Sequence, residues 1–182
     1  MKFKELLALL KADLLRLEAP ADNTLVPRPK WVKLLSPRFL PVLLVRLARY
    51  FYLSRWVRMF SPVFTWVNLI IFGIEFTPRC EVGAGLMLPH TSGTVVGALK
   101  IGVNATIFHG VTLGAKFADI HFTPETRPVV GDNVTFGAGA KALGGIFIGQ
   151  GAVIAANSLV IEDVAAGALM MGVPAIARGV PQ

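Results

Sequence analysis

The sequence predicts an all-β solenoid of about four to five coils, preceded by an α-helical, basic N-terminal region. Three observations predict it. Past residue 75, apolar residues recur every six positions. Glycine becomes frequent there, and helical periodicity disappears. The positive charge sits ahead of that point: residues 1–74 hold 12 Lys and Arg against 4 Asp and Glu, and residues 75–182 hold 6 against 7.

The N-terminal region comes first in the chain. Residues 2–18 space Leu6, Leu7, Leu10, Leu14 and Leu17 as an amphipathic helix does. Ala19-Pro20 stops that helix, and the proline-rich stretch 20–30 reads as a linker. A second helical region follows, from about Arg38 to Phe72, mixing aliphatics with Arg38, Arg46, Arg49, Arg55 and Arg58. Residues 59–74 carry no charge but include Pro62 and Asn68, and fall short of the ~20 apolar residues of a membrane span. No signal-peptide layout is present. A basic, aromatic-rich amphipathic region of this kind fits the surface of an anionic membrane, here through residues 1–60. It equally fits helices packed on the fold or on a partner subunit. The arginines are interleaved with aliphatics and no nucleic-acid module appears, so no nucleic acid is expected.

The repeat is unbroken over Val130, Phe136, Ala142, Ile148, Ile154 and Val160. Four residues after each stands another apolar or small residue: Val134, Ala140, Ile146, Ala152, Ser158 and Val164. The period also runs through Phe76, Val82, Leu88 and Thr94, then resumes one residue late at Ile101, Ile107 and Leu113. Each unit supplies a short strand and a turn, and three units close one triangular coil. Small residues and glycine suit the corners, where backbone dihedrals are unusual. Residues 114–129 break the rhythm and form an extended loop.

Composition narrows the chemistry. Apolar residues make up 54% of the chain and charged residues 16%, which excludes disorder. A single cysteine, Cys80, excludes a disulfide scaffold or thiolate cluster and reads as a small buried residue. Three histidines leave little room for a metal centre, and none is expected. The register is more informative. His90 follows Leu88 by two residues and His109 follows Ile107 by two, with one inserted residue placed near Lys100. The two imidazoles therefore stack at one corner of successive coils, ~4.8 Å apart along the ladder. Ala138 and Ala156 continue the column. A reactive group at the head of a strip of alanine suits a slender, flexible ligand.

These residues resemble the hexapeptide-repeat, left-handed β-helix acyltransferases, and within them the serine acetyltransferase type. The strings that carry the resemblance are FGIEF (72–76), LPHTSGTVVG (88–97), IFHGVTLG (107–114), GAGAKALGG (137–145), AANSLVIEDV (155–164) and GVPA (172–175). The resemblance implies a helical segment over 1–74 and a left-handed parallel β-helix domain over 75–182. It implies direct acetyl transfer from acetyl-coenzyme A to a hydroxyl in a homotrimer. His90 matches the catalytic histidine, and Glu75 the acidic residue that orients it. An alcohol needs a base at hydrogen-bonding distance, which imidazole supplies near neutral pH. His109 is a second candidate acid, base or acceptor ligand. Gly137, Ala138, Gly139 and Lys141 match the path of the pantetheine arm, which Ala155 and Ala156 extend. Lys141 and Arg178 are candidates for the coenzyme phosphates.

The sequence also departs from that type. Pro89 stands where an Asp helps bind the substrate amine, and Thr126-Arg127-Pro128 where Arg-His-Pro helps hold its carboxylate. Arg127, displaced by one residue, and His121 in the loop are the acceptor-binding candidates. With both ionic anchors altered, and with a short basic start like that of colanic acid acetyltransferases, the expected acceptor is a sugar hydroxyl of a polysaccharide or its precursor. That reaction would take place in the cytoplasm, at the inner face of the membrane. The alternative is serine O-acetylation for cysteine synthesis. A third reading is a non-catalytic or metal-binding trimeric hexapeptide protein, with His90 and His109 among its ligands.

Overall fold

The computed structural model describes residues 1–18 and 34–178. The expected helix stop at Ala19-Pro20 and the 20–30 linker lie outside the described residues. Among the described residues, three helices lead into the solenoid, α1 (Phe3–Glu18), α2 (Leu40–Leu53) and α3 (Ser61–Phe72), with a 3-10 turn at Arg58–Phe60. Pro41 and Pro62 stand in the first turns of α2 and α3, where a missing N–H costs nothing. Gly73, at φ 63°, ends α3 in the left-handed conformation and turns the chain directly into the first strand.

The solenoid has three faces. One carries β1 (Ile74–Phe76), β3 (Thr94–Val96), β6 (Thr112–Gly114), β9 (Lys141–Leu143) and β12 (Leu159–Val160). The second carries β2 (Glu81–Val82), β4 (Lys100–Ile101), β7 (Val129–Val130) and β10 (Phe147–Ile148). The third carries β5 (Thr106–Ile107), β8 (Thr135–Phe136), β11 (Val153–Ile154), β13 (Leu169–Gly172) and β14 (Ala175–Ala177). Neighbouring strands run parallel, except that β14 returns antiparallel on β13. The repeat positions Phe76, Val82, Leu88, Val96, Ile101, Ile107, Leu113, Val130, Phe136, Ala142, Ile148, Ile154 and Val160 point inward, none more than 7% exposed, and share the core with a second buried set that includes Ile74, Val111, Val134, Ala140, Ala152 and Val164. Each large aliphatic in that column is worth about 1.5–3 kcal/mol of burial.

The expected period holds from Val130 onward, but its slip is relocated. Val96, not Thr94, occupies the repeat position on β3, pairing Phe76 before it and Leu113 after it. The unit from Leu88 to Val96 is thus two residues too long, and the unit from Val96 to Ile101 one residue too short. These compensate to the single shift visible in sequence. Thr94 is itself buried, at 1% exposed, which is why the pattern looked unbroken there.

The corners explain the glycines in two ways. Glycines directly after a core position, such as Gly137, allow close approach: a Cβ there would meet the Ala156 amide nitrogen at 2.6 Å. The left-handed residue comes three positions after the core residue, except at Gly93, which is five positions after Leu88. One corner turns on Gly85, Asn104, Asn133, Gly151 and Gly167, and the next on Gly93, Gly110, Gly139 and Asn157, all with positive φ. Glycine and asparagine tolerate that region best.

The N-terminal helices dock on this body through polar groups. Asp13 of α1 and Arg46 of α2 are 0% and 2% exposed and form a two-pronged ion pair, Nε to Oδ2 at 2.8 Å and Nη2 to Oδ1 at 2.9 Å. Arg46 also donates to the carbonyls of Val82 and Gly83, and Asp13 Oδ1 accepts the Leu86 N–H. Arg16 donates to the Gly85 carbonyl at 2.6 Å and to the Thr106 hydroxyl at 2.8 Å. Leu7, placed by the sequence on the buried stripe of α1, is instead half exposed. On α2 and α3, Phe51 stacks on Phe64, and Ser61 and Asn68 donate to the Ala48 and Pro41 carbonyls. The apolar stretch at 59–74 is therefore partly an internal packing surface. No helix among the described residues is long and apolar enough to cross a membrane.

Candidate active site

His90 lies in the corner that carries the two extra residues. From Leu88 to the left-handed Gly93 is five positions, where the corners beneath it take three, as from Ile107 to Gly110. The ladder fixes both ends of this turn: Met87 pairs Thr106 before it, and Gly110 donates its N–H to the Ser92 carbonyl after it. The Thr91 hydroxyl donates to the Phe72 carbonyl at 2.8 Å, tying the turn to the end of α3. His90 is pushed outward and exposed.

His109 sits on the next rung. The two ring centroids are 5.8 Å apart, edge to face at 81°, so the sequence-derived stacking is observed. Ala138 and Ala156 continue the column, because Gly139 donates its N–H to the His109 carbonyl and Asn157 donates to the Ala138 carbonyl. Gly110 and Gly139 stack at the same edge, where a Cβ on Gly110 would lie 3.5 Å from Gly139. The edge is therefore lined by small groups. Ala155 lies beside Ala156, its N–H on the Met170 carbonyl, and Arg178 stands exposed just after β14. Lys141 is exposed on β9 and donates to the Gly139 carbonyl at 3.0 Å.

Both imidazoles open into a cleft of ≈ 640 Å³ between the helices and the first coils. Its walls include Arg38, Ile71 and Phe72 from the helical region and Pro89 from the turn. The sequence assigned no site role to Arg38 or α3. The length of the 88–96 unit was the available signal, since an over-long corner must bulge toward whatever packs above it.

Other candidates lie elsewhere. Glu75 is exposed on β1 and makes no hydrogen bond to His90 among the described residues. Arg127 does not line this cleft. Its guanidinium is paired with Asp119 at 2.9 Å and donates to the carbonyls of Gly97 and Asp119, with the Phe122 ring beneath it. It lines a separate cleft of ≈ 410 Å³ with Glu125 and Asp163. His121 is exposed, and its carbonyl accepts from Arg79. Cys80 is 1% exposed, and burial pushes its thiol up to about 12. Among the described residues, no group of three or more His, Cys, Asp and Glu side chains comes together to hold a metal ion.

A three-faced solenoid with an imidazole at the head of a small-residue edge defines a hexapeptide-repeat acyltransferase. The family pattern described as "Hexapeptide repeat of succinyl-transferase" matches residues 129–161. The serine acetyltransferase of Helicobacter pylori (strain ATCC 700392 / 26695) is 36% identical over 153 residues, covering 80% of this chain and 84% of that protein. The crystal structure of Neisseria gonorrhoeae serine acetyltransferase superposes with a TM-score of 0.84 at 30% identity, covering 98% of this chain and 68% of the other. Serine acetyltransferase from Brucella abortus strain S19, in complex with coenzyme A, also gives 0.84 at 30% identity over 99% of this chain and 70% of that one. The chain belongs to the serine acetyltransferase family, whose members are left-handed β-helix acyltransferases that draw on acetyl-coenzyme A.

This corrects the expected glycan acceptor. That expectation rested on the short N-terminal region and on the changes at Pro89 and Thr126. The alignment spans 84% of the Helicobacter pylori serine acetyltransferase, so a short helical region does not set this chain apart from that family. Two changed anchor positions weigh less than identity sustained along the whole solenoid.

Proposed function

We propose that this chain transfers the acetyl group of acetyl-coenzyme A to the hydroxyl of L-serine, with His90 as general base. The observation that carries the reading is the exposed His90–His109 pair at the head of the alanine column, in a chain of this family. As the serine oxygen attacks the thioester carbonyl, the His90 imidazole takes the hydroxyl proton. The tetrahedral adduct collapses with cleavage of the C–S bond. The imidazolium returns the proton to the departing coenzyme A sulfur, leaving O-acetylserine and free thiol. No acyl-enzyme is needed.

His109 lines the same cleft and is assigned to the acceptor side of the reaction. Gly137, Ala138, Gly139, Ala155 and Ala156 provide the path for the pantetheine arm, with Lys141 and Arg178 toward the phosphates. Glu75 is assigned to orient the base, reaching it by side-chain rotation from β1. A homotrimer, common among hexapeptide-repeat proteins, would set this edge against a neighbouring solenoid. Thiol release from acetyl-coenzyme A in the presence of L-serine tests the reading. His90→Ala is expected to lower kcat by about 10²–10⁴. An unchanged kcat removes His90 from the mechanism.

Peripheral membrane contact is proposed for the later part of the basic region the sequence indicated, not for α1. Residues 3–18 dock on the solenoid, whereas Trp56, Met59, Trp66 and Ile70 are 90%, 76%, 62% and 75% exposed beside Arg55 and Arg58. Residues 34–74 contain no Asp or Glu. An anionic surface complements that face.

A further inference from the structure

We propose that Arg38 holds the carboxylate of the acceptor, and that this one charge carries acceptor recognition. The chain would then take β-hydroxy carboxylates as a class, with little regard for the amine. The inference rests on the serine reading above and names the group that selects the substrate.

Four observations converge. Arg38 lines the cleft into which His90 and His109 open. Among the described residues no carboxylate lines that cleft, and the ionisable groups that do are one guanidinium and two imidazoles. Arg127, the residue the resemblance offers for the carboxylate, is already engaged by Asp119 and two backbone carbonyls and lines the other cleft. Finally, Arg38 is delivered from an anchored turn. Its N–H donates to the Ser36 hydroxyl, Phe39 and Leu40 donate to the Ser36 carbonyl, and Phe39 is 2% exposed, while the Arg38 side chain stays in solvent. A guanidinium on a fixed backbone suits two-pronged recognition of a carboxylate.

The amine is treated differently. Pro89, next to the base, offers neither charge nor an N–H. Glu75 and Asp119 do not line the cleft. With Glu75 engaged on the imidazole of His90, the ammonium of serine meets no free carboxylate among the described residues there, and its removal should cost little.

Steady-state kinetics with the purified full chain, at saturating acetyl-coenzyme A, test this with three acceptors: L-serine, 3-hydroxypropanoate and L-serinamide. We expect 3-hydroxypropanoate to keep kcat/KM within about tenfold of L-serine, and L-serinamide to fall by about 10- to 150-fold, the range of a charge-assisted hydrogen bond. Arg38→Ala should raise the KM for L-serine by a similar factor, leave the KM for acetyl-coenzyme A unchanged, and remove the preference for serine over serinamide. Arg38→Lys should recover part of it. Equal use of serine and serinamide by the parent protein, or an unchanged serine KM in Arg38→Ala, would overturn the role of Arg38. Loss of more than about 100-fold with 3-hydroxypropanoate would overturn indifference to the amine. A parent protein that turns over none of the three would instead overturn the serine reading itself.

Discussion

Replacing Arg46 by methionine tests how the helical region is fastened to the solenoid. The substitution keeps much of the side-chain volume and removes the charge. It leaves the Asp13 carboxylate, 0% exposed, facing no cation, and strips the Val82 and Gly83 carbonyls of donors at 2.7 and 2.6 Å. Removing one partner of a buried pair costs about 3–5 kcal/mol, mostly as the penalty of the stranded charge. The lost backbone bonds, near 1 kcal/mol each in isolation, are contained within that figure rather than added to it. At about 2–4 °C per kcal/mol for a chain of this size, Tm should fall by about 6–20 °C. The assay is thermal unfolding followed by circular dichroism at fixed protein concentration, because association would otherwise shift the midpoint. Arg58→Met is the control. Arg58 is exposed and lies 4.0 Å over the Tyr52 ring, which is worth about 0.5–1 kcal/mol. Asp13→Leu combined with Arg46→Met removes both charges and should recover most of the loss. A single Arg46→Met variant that melts within about 2 °C of the parent, or a double variant as unstable as the sum of the singles, would refute this account of the docking.

Other outcomes follow from the same structure. Cys80, buried with its thiol raised to about 12 chiefly by desolvation, should resist a thiol-specific disulfide reagent in the native protein at pH 8 and react fully once the protein is unfolded; rapid native reaction would contradict its burial. Desolvation opposes ionisation of Asp119, but hydrogen bonds from the Thr123 N–H, Arg127, Thr126 and the Thr123 hydroxyl outweigh it and hold the carboxyl at about 2, below its ordinary 3.8. A depressed carboxyl stabilises the folded state above its unfolded pKa and loses that contribution as pH falls through the folded one. Asp119→Asn should therefore be less stable than the parent above pH ~4, with the gap closing toward pH ~2; a gap constant over that window would count against the pairing. Vesicles containing anionic phospholipid should co-sediment the protein, and those of neutral phosphatidylcholine should not, with salt and Trp56→Ala with Arg58→Glu both weakening the contact. Binding indifferent to lipid charge would sink that proposal.

The fold was legible because a period of six needs only apolar spacing, and Val130 to Val160 keep it without interruption. The corner at His90 was less so. A two-residue excess and a one-residue deficit leave a net shift of one, and a buried threonine at 94 let the pattern pass as regular. The histidine column could be read because it depends on rungs that are in register. The helical region was read as a basic surface because charge is counted without direction. Arg46 and Arg49 turn inward to carbonyls of the first coil, whereas Arg38, Arg55 and Arg58 keep the expected exposure. Arg38 reaches the cleft through tertiary packing of a turn that no spacing rule places. The acceptor was misjudged by weighing two altered positions above similarity spread over the entire repeat.

The over-long turn at His90 separates what must stay fixed from what can vary. Leu88 and Val96 remain locked into their rungs on either side, so the loop between them can gain or lose residues without touching the buried stack. Reach, height and tilt of the imidazole above its edge are then set by loop length together with the Thr91 bond to the end of α3. Shortening 89–92 by two residues would lower the ring toward the position of His109 while leaving the scaffold intact. A lineage could re-aim its base toward acceptors of different bulk by such indels, with little penalty in folding.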